Sequence, residues 1–204
     1  GRVRSVVFSL DGETLASAGE DGDIRLWSVS NWECIKVLKH HATSNLSGKS
    51  VRGILSLSFS PCDDFLASGG ADSLIKIWSL KNNDCIGFLE GHIGHVRTVS
   101  FSHDGNLIIS GGTDNTVKVW DFESGQCIRT MRGHEGFVRS VKFSPNDALI
   151  ASGSSDQTIR IWNLEGQELV VIENRPYLGL NINNAIGLTE AQEIALKLSG
   201  AVEV

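Results

Sequence analysis

Short apolar runs rich in Val, Ile and Leu recur along the chain, each bounded by clusters of Gly, Asn, Asp and Ser. In the stretch from 93 to 134 the pattern predicts strands over 96–102, 107–111, 116–120 and 127–131. Turns fall at His103, Asp104, Gly105 and Asn106, and again at Glu123, Ser124, Gly125 and Gln126. These runs are β-branched and too short for helices, so an antiparallel meander is expected. The same pattern returns along the chain. Trp78, Trp120 and Trp162 are 42 residues apart, and Trp27 precedes Trp78 by 51. In every unit a phenylalanine stands 19 residues before the tryptophan (Phe8, Phe59, Phe101, Phe143). A serine stands ten before it (Ser17, Ser68, Ser110, Ser152) and an aspartate six before it (Asp21, Asp72, Asp114, Asp156). Four strands per unit of about 40 to 45 residues is the pattern of a propeller blade, whose small sheet buries its faces against its neighbours.

Two of the units also carry a Gly-His pair, Gly91-His92 and Gly133-His134, each followed 28 residues after its histidine by the tryptophan. Trp120-Asp121 forms a terminal WD dipeptide, replaced elsewhere by Trp27-Ser28, Trp78-Ser79 and Trp162-Asn163. On these residues the chain from 1 to about 172 resembles the WD40 family. The fold implied is all-β: a WD40-type β-propeller of four blades (1–41, 42–92, 93–134 and 135–172), part of a larger propeller, followed by a short α-helical tail. The resemblance further implies buried hydrogen-bonded tetrads, His92, Ser110, Asp114 and Trp120 in the third unit and His134, Ser152, Asp156 and Trp162 in the fourth. The second unit would use His41, Ser68, Asp72 and Trp78, with His40 where glycine is expected. The first has Ser17, Asp21 and Trp27 but no histidine, because Gly1-Arg2-Val3 aligns with Gly136-Phe137-Val138, just past that position. Such tetrads suit structure rather than catalysis: indole can only donate, and carboxylate accepts from imidazole and turn amides.

The array is expected to stop near Ile172, where Arg175-Pro176-Tyr177 breaks the strand pattern. Thr189-Glu190-Ala191-Gln192 then reads as a capping box opening a helix that Gly200 can end. Residues 173–204 resemble the tail that follows WD40 arrays and pentapeptide repeats in large bacterial signalling proteins. A helix capping the last blade is an equally good reading of the same residues. An open array leaves two apolar blade faces uncovered, so the chain is either a segment of a longer array or self-associates through those faces.

Composition narrows the partners. With 41% hydrophobic and 21% charged residues the chain can bury a substantial core, and a net charge of −6 lacks the basic footprint that nucleic acid requires. No membrane span or signal peptide is evident, so a cytoplasmic protein is expected. Cys34, Cys85 and Cys127 each follow a tryptophan by seven residues, and repetition, with the cysteines buried as small hydrophobes, explains them better than metal or disulfide chemistry. Glu90, His92 and His95 could ligate a metal by residue type, but His92 is claimed by a tetrad. Asp21-Gly22-Asp23 lacks the full ligand pattern of a calcium loop. With no P-loop, GxSxG or HExxH motif, neither an enzyme nor a cofactor is expected.

Binding surfaces are the better prospect. In the geometry implied by the resemblance, the turns before strands one and three of each blade share one open face. That face would carry Arg4, Arg97 and Arg139 at matching positions, with His95, Phe137, Glu20, Thr113 and Ser155. An exposed aromatic beside arginine suits a protein interface, though these arginines could equally solvate the rim or pair with carboxylates. The insertion at 42–52 reads as a mobile loop on the same face. Lys76, Lys118, Arg25 and Arg160, each two before a tryptophan, suit stem packing and local ion pairs. The expected function is a non-catalytic scaffold for other proteins or peptides, with the sensing or assembly end of a larger bacterial signalling protein as its setting. The alternative is a purely architectural or oligomerisation module.

Overall fold

The computed structural model describes residues 1–39, 43–44, 50–51 and 53–173. The first sheet comprises β1 (Val3–Phe8), β2 (Thr14–Gly19), β3 (Asp23–Ser28) and β4 (Cys34–Lys39). A two-stranded ladder follows, β5 (Thr43–Ser44) with β6 (Ser50–Val51), paired Thr43 to Val51 and Ser44 to Ser50. The insertion read as a mobile loop thus contains backbone pairing. The second sheet holds β7 (Ile54–Phe59), β8 (Phe65–Gly70), β9 (Ile75–Ser79) and β10 (Asp84–Leu89). The third holds β11 (Val96–Phe101), β12 (Leu107–Gly112), β13 (Val117–Asp121) and β14 (Cys127–Met131). The fourth holds β15 (Val138–Phe143), β16 (Leu149–Ser154), β17 (Thr158–Asn163) and β18 (Glu168–Glu173). Each four-stranded sheet is an antiparallel meander in sequence order, and residues 1–171 make one compact unit.

The first hairpin of each sheet closes the same way. The hydroxyl of Ser9, Ser60, Ser102 or Ser144 accepts from the amide of Thr14, Phe65, Leu107 or Leu149 at 2.9, 3.1, 2.9 and 2.9 Å. The turn passes through a left-handed residue, Gly12, Asp63, Gly105 or Asp147, with φ of 75, 57, 77 and 54°. Glycine meets that demand without strain, and aspartate tolerates it with a side chain left over for other bonds.

The core lies between sheets. Ile109, Val117, Val119 and Met131 of the third sheet pack on Val138, Val141, Phe143, Ile150 and Trp162 of the fourth. Equivalent sets join the first sheet to the second and the second to the third. The innermost strands lie side by side in the order β1, β7, β11, β15. Each blade therefore has two apolar faces, one toward the preceding blade and one toward the following blade.

Candidate functional site

The histidine-to-tryptophan chain is complete in the third and fourth blades. Trp120 Nε1–H donates to Ser110 Oγ (2.8 Å), Ser110 Oγ lies 2.7 Å from His92 Nε2, and His92 Nδ1 lies 2.9 Å from Asp114 Oδ2. In the fourth blade Trp162 to Ser152, Ser152 to His134 and His134 to Asp156 are each 2.8 Å. A neutral imidazole protonated at Nδ1 satisfies every link: it donates to the aspartate and accepts the serine hydroxyl, which in turn accepts from the indole. Burial opposes charge on Asp114, but hydrogen bonds from His92, the Ile93 amide and the Thr116 hydroxyl outweigh it and hold the carboxyl far below its usual range. Asp156 is depressed likewise: burial opposes ionisation, and bonds from Thr158, His134 and the Glu135 amide prevail. Gly112 is glycine because a Cβ there would sit 2.7 Å from His92 Nδ1.

The first blade departs from this plan, and the second is described only in part. In the first, Trp27 donates to Ser17 (2.8 Å), but Asp21, with no histidine, pairs with Arg25 at 2.7 Å and stays about a third exposed. In the second, Trp78 donates to Ser68 (2.9 Å) and Asp72 pairs with Lys76 at 3.2 Å, while His40 and His41 lie outside the described residues. The basic residues two before each tryptophan are strand-borne: besides Arg25 and Lys76, Lys118 donates to Thr130 (2.9 Å) and Arg160 pairs with Glu168.

The proposed partner-binding residues come together at one end of the innermost strands. The turn before strand one bonds the turn before strand three in each blade: the Thr113 amide donates to the His95 carbonyl and the His95 amide to Thr113 Oγ1 (2.9 and 2.8 Å). The Ser155 amide donates to the Phe137 carbonyl (2.9 Å) and the Glu20 amide to the Arg2 carbonyl (3.0 Å). Sequence periodicity does not reveal why arginines gather here. In β1, β11 and β15 the ladder slips by one residue between Val3 and Ser5, Val96 and Thr98, and Val138 and Ser140. The extra residue is Arg4, Arg97 or Arg139; in β7 it is Leu55. A bulge bends its strand and re-aims the extra side chain, so three blades deliver a guanidinium to one mouth.

These arginines differ in their surroundings. Arg4 pairs with Glu20 (2.5 Å), which answers in part to the carboxylate-pairing alternative. Arg97 lies over the half-exposed ring of Phe137, 5.5 Å from its centroid, and its Nε is buried without a hydrogen-bond partner. Burial, then the nearby charges of Arg139 and Arg4, hold its pKa below the usual arginine value. Among the described residues neither Arg97 nor Arg139 has a carboxylate partner. At the opposite end of the same strands a hollow of about 220 Å³ is lined by Phe8, Phe59, Pro61, Phe101 and His103, which sequence reasoning did not single out.

The family model for the WD domain, G-beta repeat matches residues 1–28, 32–79, 83–121 and 125–163. The chain belongs to the WD40 family. It is 35% identical over 102 residues to the U3 snoRNP-associated protein-like YAOH of Oryza sativa subsp. japonica, covering 46% of this chain and 20% of that protein. It is 32% identical over 94 residues to the F-box/WD repeat-containing protein sel-10 of Caenorhabditis elegans (45% and 14%). It is 27% identical over 134 residues to pre-mRNA-processing factor 19 of Mus musculus (48% and 26%). The chain thus spans about a quarter or less of the length of these relatives, all of them eukaryotic.

Cys34, Cys85 and Cys127 are exposed free thiols, not buried hydrophobes. They sit on the outermost strands, where the ladder slips again, and each Sγ points at the carbonyl two residues on, at 3.6, 3.5 and 3.3 Å. Position in the repeat fixes them at a bulge on the outer edge, where no following strand covers them. The helical tail, and with it the bacterial resemblance, lies outside the described residues. Among the described residues no three His, Cys, Asp or Glu side chains gather as metal ligands, and no helix is long and apolar enough to cross a membrane.

Proposed function

We propose that this WD40 array is a protein-interaction scaffold whose partner presents an acidic side chain to the mouth formed by Arg97, Arg139 and Phe137. The observation that carries the reading is Arg97: half-buried, stacked on an aromatic ring, crowded by two like charges and, among the described residues, lacking a carboxylate partner. Guanidinium held this way keeps its charge while losing water, so an incoming carboxylate or phosphate recovers more there than at an exposed lysine. Phe137, 42% exposed beside it, supplies apolar contact of the kind that anchors interfaces. The net charge of −6 makes this local excess of positive charge selective, because most of the surface repels an acidic partner. Interaction is also what a rigid array of loops on stacked sheets does well.

The test compares partners recovered by the wild-type chain with those recovered by Arg97→Glu combined with Phe137→Ala. Loss of an acidic partner from the variant supports the mouth. Equal recovery removes it. A second reading is a purely architectural or oligomerisation module without a specific ligand, which equal recovery would favour. We place the work of this scaffold in the cytoplasm, where four free cysteines stay reduced. Assignment to the sensing or assembly end of a larger bacterial signalling protein rests on residues 173–204 alone.

A further inference from the structure

The connections that lead into β11 and β15 are built alike. His92-Ile93-Gly94-His95-Val96-Arg97 in the third blade answers to His134-Glu135-Gly136-Phe137-Val138-Arg139 in the fourth. Backbone amides pin both of them: Ile93 and Glu135 donate to Asp114 and Asp156, each at 2.9 Å. The His95 amide then donates to Thr113 Oγ1 (2.8 Å), and the Ser155 amide to the Phe137 carbonyl (2.9 Å). Side chains on these anchored segments are presented on a fixed backbone, with Ile93 84% and Phe137 42% exposed. The Phe137 ring of the fourth blade lies against the Arg97 guanidinium of the third, so the surface straddles the seam whose core joins Ile109 and Val117 to Val138 and Val141.

The charges on this surface call for more than one negative charge in return. The like charges of Arg139 and Arg4 act on Arg97, so the three guanidiniums feel one another. Arg4 already has Glu20, whose carboxylate also accepts the Arg2 amide at 3.3 Å. Among the described residues Arg97 and Arg139 have no carboxylate partner, and Glu135, the one acidic residue on the two connections, pairs with neither. Two positive charges are thus left uncompensated. A carboxylate brings one charge and two acceptor oxygens, which suits a single guanidinium fork. A phosphomonoester brings about −1.5 to −2 at pH 7 and three strong acceptor oxygens, enough to receive two forks at once. Phe137 covers one face of the Arg97 guanidinium and its Nε is buried without a partner, so the terminal amino groups are the donors left for a ligand.

We infer that the seam between the third and fourth blades receives a phosphorylated serine or threonine of a protein partner, with Arg97 and Arg139 sharing the phosphate. Such a receptor rests on the arginine mouth read above as the partner-binding surface, with the ligand narrowed from an acidic side chain to a dianion. A polypeptide is the source that fits. Exposed Ile93 and Phe137 offer apolar contact to the residues that flank the phosphate, which a free phosphate or an inositol headgroup does not use. Nucleic acid and anionic membranes spread their negative charge widely, and a chain of net charge −6 repels them while two arginines attract one point of charge.

The experiment measures retention of three degenerate peptide libraries by the full 204-residue chain, each with a fixed central phosphoserine, glutamate or serine. The phosphoserine library is expected to be held about tenfold more tightly than the glutamate library, and the serine library not at all. Arg97→Lys keeps the charge but loses the planar fork, and should weaken phosphoserine binding about tenfold, as should Arg139→Ala. Arg4→Ala removes an arginine already paired with Glu20 and should change binding less than about threefold. Circular dichroism and the urea midpoint should match wild type in each variant; if Arg97→Lys shifts the midpoint, Arg139→Lys repeats the fork test on an exposed side chain. Equal retention of the glutamate and phosphoserine libraries overturns the dianion and leaves the arginine mouth standing, whereas retention of no library overturns both. Phosphoserine binding that survives Arg97→Lys and Arg139→Ala overturns the seam as its site. Tighter capture by phosphatidylcholine vesicles doped with a phosphatidylinositol phosphate than by any peptide overturns the polypeptide as its source.

Discussion

Replacing Asp114 with alanine tests the buried tetrad most directly. The carboxylate accepts from His92 Nδ1 (2.9 Å), the Ile93 amide (2.9 Å), the Thr116 hydroxyl (2.8 Å) and the Thr116 amide (3.2 Å). These donors are not equal. The Ile93 amide belongs to an exposed residue and can turn to water, whereas the His92 side chain is 1% exposed and Thr116 is 3% exposed. Stranding the buried imidazole N–H costs about 1 to 3 kcal/mol, and the lost charge-assisted bonds add roughly another 1 to 2 kcal/mol after water replaces part of them. The expected destabilisation at neutral pH is therefore about 3 kcal/mol, measured as a shift in the urea midpoint at unchanged slope. Asp21→Ala is the comparison: with no histidine to strand and a partly exposed Arg25 as partner, it should cost no more than about 1 kcal/mol. The difference also has a pH dependence. The folded carboxyl of Asp114 is held below its unfolded value, so its contribution is complete above about pH 4, the unfolded pKa, and declines as pH falls toward the folded value. Wild type and Asp114→Ala should converge in stability below about pH 4. Equal midpoints at pH 7, or a gap that widens in acid, would refute the tetrad as the source of that stability.

Two further outcomes follow from the packing. Gly111→Ala should destabilise by about 1 to 3 kcal/mol, because the added methyl overlaps Val138, while Gly153→Ala should stay within about 0.5 kcal/mol; equal effects in thermal melts would contradict the seam geometry. In the native protein all four cysteines should react promptly with a thiol-specific chromogenic disulfide, and a count that rises only on adding denaturant would contradict their placement on exposed positions.

Much of this fold is legible in the sequence. Spacing alone carried the strands and the grouping of Ser, Asp and Trp, because alternation along a strand and the length of a hairpin are local properties that short-range residue choices set. The serine-to-tryptophan contact follows from that spacing: ten residues apart, Ser110 and Trp120 meet across one hairpin. The arginine mouth was only half legible. Recurrence marked Arg4, Arg97 and Arg139, but the bulges that present them depend on how each ladder slips, and the ring of Phe137 under Arg97 comes from a different blade.

What the sequence by itself determines here is the blade: four short strands, their turns and the residues that recur in them. What only the tertiary structure decides is how blades meet. The exposure of Cys34, Cys85 and Cys127, the hollow at Gly153, and the pairing of Asp63 and Asp147 with turns over 40 residues away all depend on which surface faces which neighbour. A residue's periodic position names its strand face; whether that face is covered is settled by the sheet packed against it.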